Sequence, residues 1–183
     1  MSPPRRIFFA IRPAPPARRA LHELGASWAR AGAGRPVSPG RIHLTLLFLG
    51  AVPDIRVPAL CEAAGHVQAE PFSLTLDTAG VFKRVAVGWA GVREPPSGLL
   101  TLQAMLAREV TQAGFAIDDR AFVPHVTLVR NVARAQTDAP EVGPLAWPVR
   151  RFSLLASEAR RAGYAWLGSW RLDGATRESR GRA

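Results

Sequence analysis

The tetrapeptide His43-Leu44-Thr45-Leu46 returns 82 positions later as His125-Val126-Thr127-Leu128. In each copy the polar residues stand two apart and the aliphatic ones fill the gaps. Period-two alternation belongs to an extended strand, so His and Thr share one face. Leu44 and Leu46, like Val126 and Leu128, then point the other way into a core. The separation is close to half of the 183-residue chain. Two such strands, one per half, predict two related half-sites meeting in one cleft.

The rest of the chain supplies a mixed frame for these strands. Arg5–Arg12 reads as a strand ahead of a Pro-rich break. Pro15 and Pro16 suit the first turn of a helix, and Ala17, Leu21, Leu24 and Trp28 carry its helical spacing to about Ala31. Gly32–Gly40 reads as loop, and Arg41–Leu49 as the strand holding the first tetrapeptide. A second helix is expected over Asp54–Gln68, burying Val57, Leu60, Cys61, Ala64 and Val67. Phe72, Leu74 and Leu76 alternate as in a half-buried strand, with Val85–Val92 as its expected hairpin partner and Gly80 in the connection.

Ser97 is the expected N-cap of a third helix, whose stripe is Leu99, Leu102, Leu106 and Val110 and whose stop is Gly114. Phe122–Asn131 holds the second tetrapeptide on a strand. Ala133–Pro144 reads as polar loop. Trp147–Ser157 and Tyr164–Leu172 read as a closing antiparallel pair turning at Arg161–Gly163. Strands outnumber helices and several are hairpin-linked, which predicts α+β with mainly antiparallel sheets rather than a doubly wound parallel sheet. Residues 1–176 are expected to form a single domain, and the Arg-rich tail 177–183 to be disordered.

Composition narrows the function classes. Hydrophobic residues at 48% and charged residues at 21% are ordinary for a globular chain. Lys and Arg number 24 against 14 for Asp and Glu, a formal charge of +10. Such a surface favours polyanions. Cys61, the single cysteine, excludes an internal disulfide and any zinc site built on cysteine pairs. No stretch approaches the apolar length of a membrane span, so a cytoplasmic protein without membrane contact is expected, monomeric by default.

The paired histidines suit phosphodiester cleavage. That displacement needs a base for the attacking water and an acid for the departing oxygen on the far side of phosphorus. Imidazoles serve both roles near neutral pH. Thr45 and Thr127 can hydrogen-bond the non-bridging oxygens. No metal or other cofactor is required, and neither histidine has a partner ligand at zinc spacing. Arg130 lies five residues after His125, on the opposite face by strict parity; a bulge or strand end would return it to the groove as a phosphate contact. Arg41 shares the parity of His43 and reads as rim. Phe48 and Cys61 read as core, and His22 and His66 as structural or exposed helix residues.

His-x-Thr-x, once per half, resembles the signature of the two-histidine (2H) phosphoesterases. The flanks resemble the RNA 2′,3′-cyclic phosphodiesterase (LigT/ThpR) branch: RRIFFAI with a Pro-started helix, IHLTLLFLG, FVPHVTLVR, the Phe72–Gly91 segment, and Leu154–Leu172 with Ser157, Glu158, Tyr164 and Trp170. The family often has a basic residue where Leu47 stands, and a proline near Gly80–Arg84. The resemblance implies a bilobal α+β fold with two pseudo-twofold-related sheets, helices on the outer faces and a V-shaped groove between them. It implies metal-independent opening of a terminal RNA 2′,3′-cyclic phosphate to a 2′-phosphate, with His43 as acid and His125 as base. Thr45 and Thr127 would hold the phosphate, and weak reversible 2′–5′ RNA ligation would be related chemistry. Two other readings fit the same residues: an RNA-binding module without turnover, and a cyclic phosphodiesterase acting on a small cyclic nucleotide or metabolite.

Overall fold

The structure is a computed structural model, and it describes residues 5–31, 34–118, 120–133, 138–157 and 163–174. Ten strands and three helices follow one another along the described chain. Strands β1 (Arg5–Ile11), β7 (His125–Arg130) and β10 (Tyr164–Arg171) lie close to the expected ranges; β3 (Leu44–Val52) begins three residues later than expected, immediately after His43, and β9 (Arg151–Ser157) is the second part of a longer expected strand. Helices α1 (Pro15–Arg30), α2 (Val57–Gly65) and α3 (Ser97–Gln112) lie close to theirs. The remaining strands are β2 (Arg35–Pro36), β4 (Phe72–Leu76), β5 (Thr78–Phe82), β6 (Val87–Gly91) and β8 (Leu145–Val149). The expected tail and the Arg161–Ala162 part of the last turn fall outside the described residues.

The large sheet runs β10-β9-β1-β3-β7-β6-β5, with β2 alongside β7. Every pairing in it is antiparallel. It consists of two arms that meet at one paired position, Leu44 with Val126. The two tetrapeptides therefore meet at the junction of the arms, with His43 immediately before β3 and His125 opening β7, and the strands pair at that single position. Helices cover the face away from the groove: α1 packs on β7, α3 on β3, and α2 on α3 and β10. One buried cluster runs through both arms and includes Leu21, Leu44, Leu60, Leu102, Val126 and Leu154. Gly25 lets α1 approach closely, since a Cβ there would meet the Leu128 carbonyl oxygen at 2.8 Å.

Three expectations are corrected. Phe72–Leu76 pairs with β8, not with β6, and the two form a separate sheet. The true hairpin partner of β6 is β5, so Gly80 sits inside a strand opposite Trp89 rather than in a connection. Its missing Cβ explains this: one would lie 2.5 Å from the Trp89 indole. The expected strand Trp147–Ser157 is two strands in two sheets, broken at Arg150. In addition, Pro96 rather than Ser97 occupies the N-cap position of α3.

Candidate active site

The register of the central strands decides how the tetrapeptides face each other. With Leu44 paired to Val126 in antiparallel fashion, the flanking positions set His43 beside Thr127 and Thr45 beside His125. Leu44 and Val126 are fully buried on the core side, so all four polar residues face the groove. Each histidine is thus next to the other half's threonine.

Both imidazoles are oriented in the same way. Nδ1 of His43 donates to the Arg41 carbonyl oxygen at 2.7 Å, and Nδ1 of His125 donates to the Val123 carbonyl oxygen at 2.8 Å. In each case the acceptor lies two residues upstream. A carbonyl only accepts, so Nδ1 carries a proton in both rings and Nε2 is the atom turned away from the backbone. Nε2 of His43 lies 3.1 Å from Thr45 Oγ1, where the hydroxyl donates to the neutral ring.

The surroundings of the two rings differ. His43 is packed between Phe8 and Tyr164, at centroid distances of 4.9 and 5.0 Å. Part of its edge still meets solvent, but the atoms crowded around it set its electrostatics. Burial pushes its pKa down to about 4, aided by the charges of Arg12, Arg130 and His125 and opposed by the bond to the Arg41 carbonyl. His125 has the edge of Phe82 against it at 4.9 Å. Burial also raises the Tyr164 phenol above its ordinary range, which keeps it protonated.

Two bulges bring further side chains to the groove. Against β1, strand β3 steps from Leu47 to Thr45, leaving Leu46 extra. Against β6, strand β7 steps from Val129 to Thr127, leaving Leu128 extra. In both strands two consecutive residues are consequently buried, Leu46-Leu47 and Leu128-Val129. The face then flips, so Phe48 and Arg130, each five residues after its histidine, return to the groove side. Phe48 is 38% exposed, which corrects its assignment to the core. For Arg130 the bulge overrides strict parity.

A cavity of about 290 Å³ is lined by His43, Thr45, Thr127, Arg130, Phe48 and Tyr164, among others. A larger one of about 460 Å³ is lined by His125, Thr45, Phe48 and Phe82, among others. Thr45 and Phe48 form their common wall. The five residues singled out from sequence therefore line two adjoining chambers. The Arg41 guanidinium lies 5.7 Å from the Tyr164 ring centroid. His22 bonds the Val37 carbonyl and His66 faces Glu109, both away from the groove. Cys61 is half-buried against the Leu167 carbonyl. Among the described residues no three His, Cys, Asp or Glu side chains converge as metal ligands.

A family model described as the 2′-5′ RNA ligase superfamily matches residues 13–161. The chain belongs to the 2′-5′ RNA ligase superfamily. Within that superfamily it is 40% identical to the RNA 2′,3′-cyclic phosphodiesterase of Escherichia coli, over 94% of this chain and 99% of the relative. It is 33% identical to the protein of that name from Thermus thermophilus, over 86% and 84% of the two chains. The crystal structure of E. coli LigT in apo form superposes with a TM-score of 0.84 at 38% identity, covering 94% and 99%.

The α+β class with mainly antiparallel sheets, expected from the sequence, is found in the structure, which superposes on this solved relative. The aromatic side chains around the histidines, Phe8 and Phe82, were not singled out from sequence. They sit on β1, which pairs with β3, and on β5, which is joined to β7 through β6. Among the described residues no helix is long and apolar enough to cross a membrane.

Proposed function

We propose that the chain hydrolyses a terminal RNA 2′,3′-cyclic phosphate to a 2′-phosphomonoester by acid–base catalysis between His43 and His125. One observation carries this reading. Both imidazoles commit Nδ1 to a backbone carbonyl, so both present Nε2 to one groove, each beside a threonine hydroxyl. A binder has no need for two matched proton-transfer atoms. The named activity of relatives at 40% and 33% identity over most of their length supports the same reaction.

In the proposed displacement, His125 Nε2 takes a proton from water as the water oxygen attacks phosphorus. The bond from phosphorus to O3′ breaks on the opposite side, and His43 gives that oxygen a proton. Thr45, Thr127 and Arg130 surround the phosphate and offset the charge that builds on its non-bridging oxygens. A 5′-hydroxyl in place of water would give a 2′–5′ linkage by the same proton transfers.

The depressed pKa of His43 adds a condition. With a value of about 4, the free ring is neutral at pH 7, whereas an acid must carry its proton. An anionic phosphate beside the ring favours the charged form, so His43 gains its proton together with the substrate. Every side chain of this site comes from one chain, so a monomer suffices, and no step calls for a metal.

The test is phosphorus NMR on a short RNA ending in a 2′,3′-cyclic phosphate, with EDTA present. The expected product is the 2′-phosphomonoester alone. No conversion by the folded protein would overturn the reading in favour of an RNA-binding module. Conversion of small cyclic nucleotides but not of RNA would move the substrate class. Nitrogen-15 NMR of His43 should show its pKa rising when inorganic phosphate is bound, and an unchanged value would reverse the acid and base roles.

A further inference from the structure

Next to the catalytic chambers lies a third cavity, of about 490 Å³, that the proposed reaction leaves unused. It is lined by Arg12, Arg151, Ser153, Trp166 and Ser169, with no carboxylate in its wall. Strand register places it. Ala10 pairs with Ser153, Leu155 with Trp166, and Ser153 with Ser169. Ala10 and Leu155 belong to the small buried cluster with Phe8 and Tyr164, directly beneath His43. The cavity therefore continues the sheet face on which His43 rests. Trp166 and Ser169 are three residues apart, yet both line it, because Leu167 is the extra residue of a bulge in β10.

Its chemistry is that of a polyanion site with a stacking surface. Trp166 is 55% exposed, a large indole left open to water. The Arg12 guanidinium lies 5.2 Å from the Trp166 ring centroid and donates to the Gly40 carbonyl oxygen at 3.0 Å. Its Nε is buried without a hydrogen-bond partner, and no carboxylate among the described residues pairs with it. A cation held partly out of water without a counter-charge is costly unless a ligand supplies one. Arg151 is exposed, and its Nε donates to Ser169 Oγ at 3.3 Å. Arg12 also acts electrostatically on His43 and Tyr164, which ties the strip to the catalytic chamber.

We propose that this strip is the track for the RNA strand on the 5′ side of the cyclic phosphate. Trp166 stacks a nucleobase, while Arg12 and Arg151 contact backbone phosphates. The inference rests on the reaction proposed above, which also sets the direction. O3′ departs toward His43, so the ribose and the strand attached to it lie on the His43 arm. Aromatic stacking combined with a basic groove is how single strands are held without sequence readout.

The test compares two substrates with the same terminal nucleotide: a nucleoside 2′,3′-cyclic monophosphate and a pentanucleotide ending in that group. Trp166→Ala and Arg151→Ala should each raise KM for the pentanucleotide about 5–10-fold, leaving kcat and the mononucleotide reaction unchanged. Arg151→Ala should also lower the salt slope of pentanucleotide binding by about one. Equal effects on both substrates, or none on the pentanucleotide, would overturn the proposal. If the wild-type protein cleaves neither substrate, the enzymatic reading fails. Fluorescence anisotropy of the pentanucleotide then still decides the strip: weaker binding by the variants supports it, and equal binding overturns it.

Discussion

The two halves of the groove begin from nearly the same four residues and end in unequal surroundings. His43 lies between Phe8 and Tyr164, and burial with the nearby charges of Arg12 and Arg130 takes its pKa to about 4. His125 stands against Phe82 in the larger chamber. Matching bulges then bring Phe48 to the groove in one half and Arg130 in the other. The tetrapeptide and its upstream carbonyl set facing and tautomer, which are alike in both halves. Depth and charge come from neighbouring strands, which differ. A twofold repeat can thus supply two imidazoles with the same backbone anchor and different surroundings.

The largest test of this comparison is removal of each imidazole. His43→Ala and His125→Ala should each lower kcat by about 10³-fold, within the usual range for loss of a positioned acid or base. Circular dichroism should show both variants folded. Substantial turnover by either one would end the paired-histidine mechanism.

Acid stability should separate the two halves next. The folded pKa of His43, about 4, lies below the ordinary imidazole value of 6.5. Between those values the unfolded chain binds the extra proton, so stability is intact above pH 6.5 and falls as pH drops toward 4. The full effect is about 3 kcal/mol from this residue. Urea unfolding at pH 7 and pH 4.5 should show the loss in the wild type and less of it in His43→Asn. Equal losses in both would place the acid sensitivity elsewhere.

The threonines probe the shared part of the design. Thr45→Val and Thr127→Val should each cost about 10–100-fold in kcat, because each removes a hydroxyl from the proposed phosphate site. Penalties of similar size would sustain the pseudo-twofold reading; a silent variant would show that one half does not touch the phosphate.

The smallest effects concern the residues that distinguish the halves. Arg130→Ala should lower kcat/KM about 10-fold through loss of a charge-assisted contact. Phe48→Ala should lower it only about 3-fold, since an exposed ring contributes packing alone. Removing Arg130 should also raise the His43 pKa, because its charge holds that value down. Reversal of the two penalties would show that the ring, not the cation, is the stronger substrate contact of the two bulge residues.

Much of this arrangement was legible in the order of residues. The repeated His-x-Thr-x, the Leu99-Leu102-Leu106-Val110 stripe and the Pro-started first helix are local patterns, and local patterns report which face a residue occupies. The doublets Leu46-Leu47 and Leu128-Val129 also carried a signal, since two consecutive apolar residues interrupt the alternation where each strand bulges. Strict parity assigns Phe48 to the core and puts Arg130 on the opposite face unless the strand bulges, and both strands do bulge.

Other features were decided only in three dimensions. That β4 joins β8 rather than β6 depends on which edge is free once β5 has taken β6. That His43 is buried under Phe8 and Tyr164 depends on pairing between segments more than a hundred residues apart. By itself the sequence determined the chemical groups of the site and the side of the strand each one occupies, because periodicity is a property of neighbours along the chain. Proton affinity was decided by the tertiary structure, because desolvation and charge depend on neighbours in space.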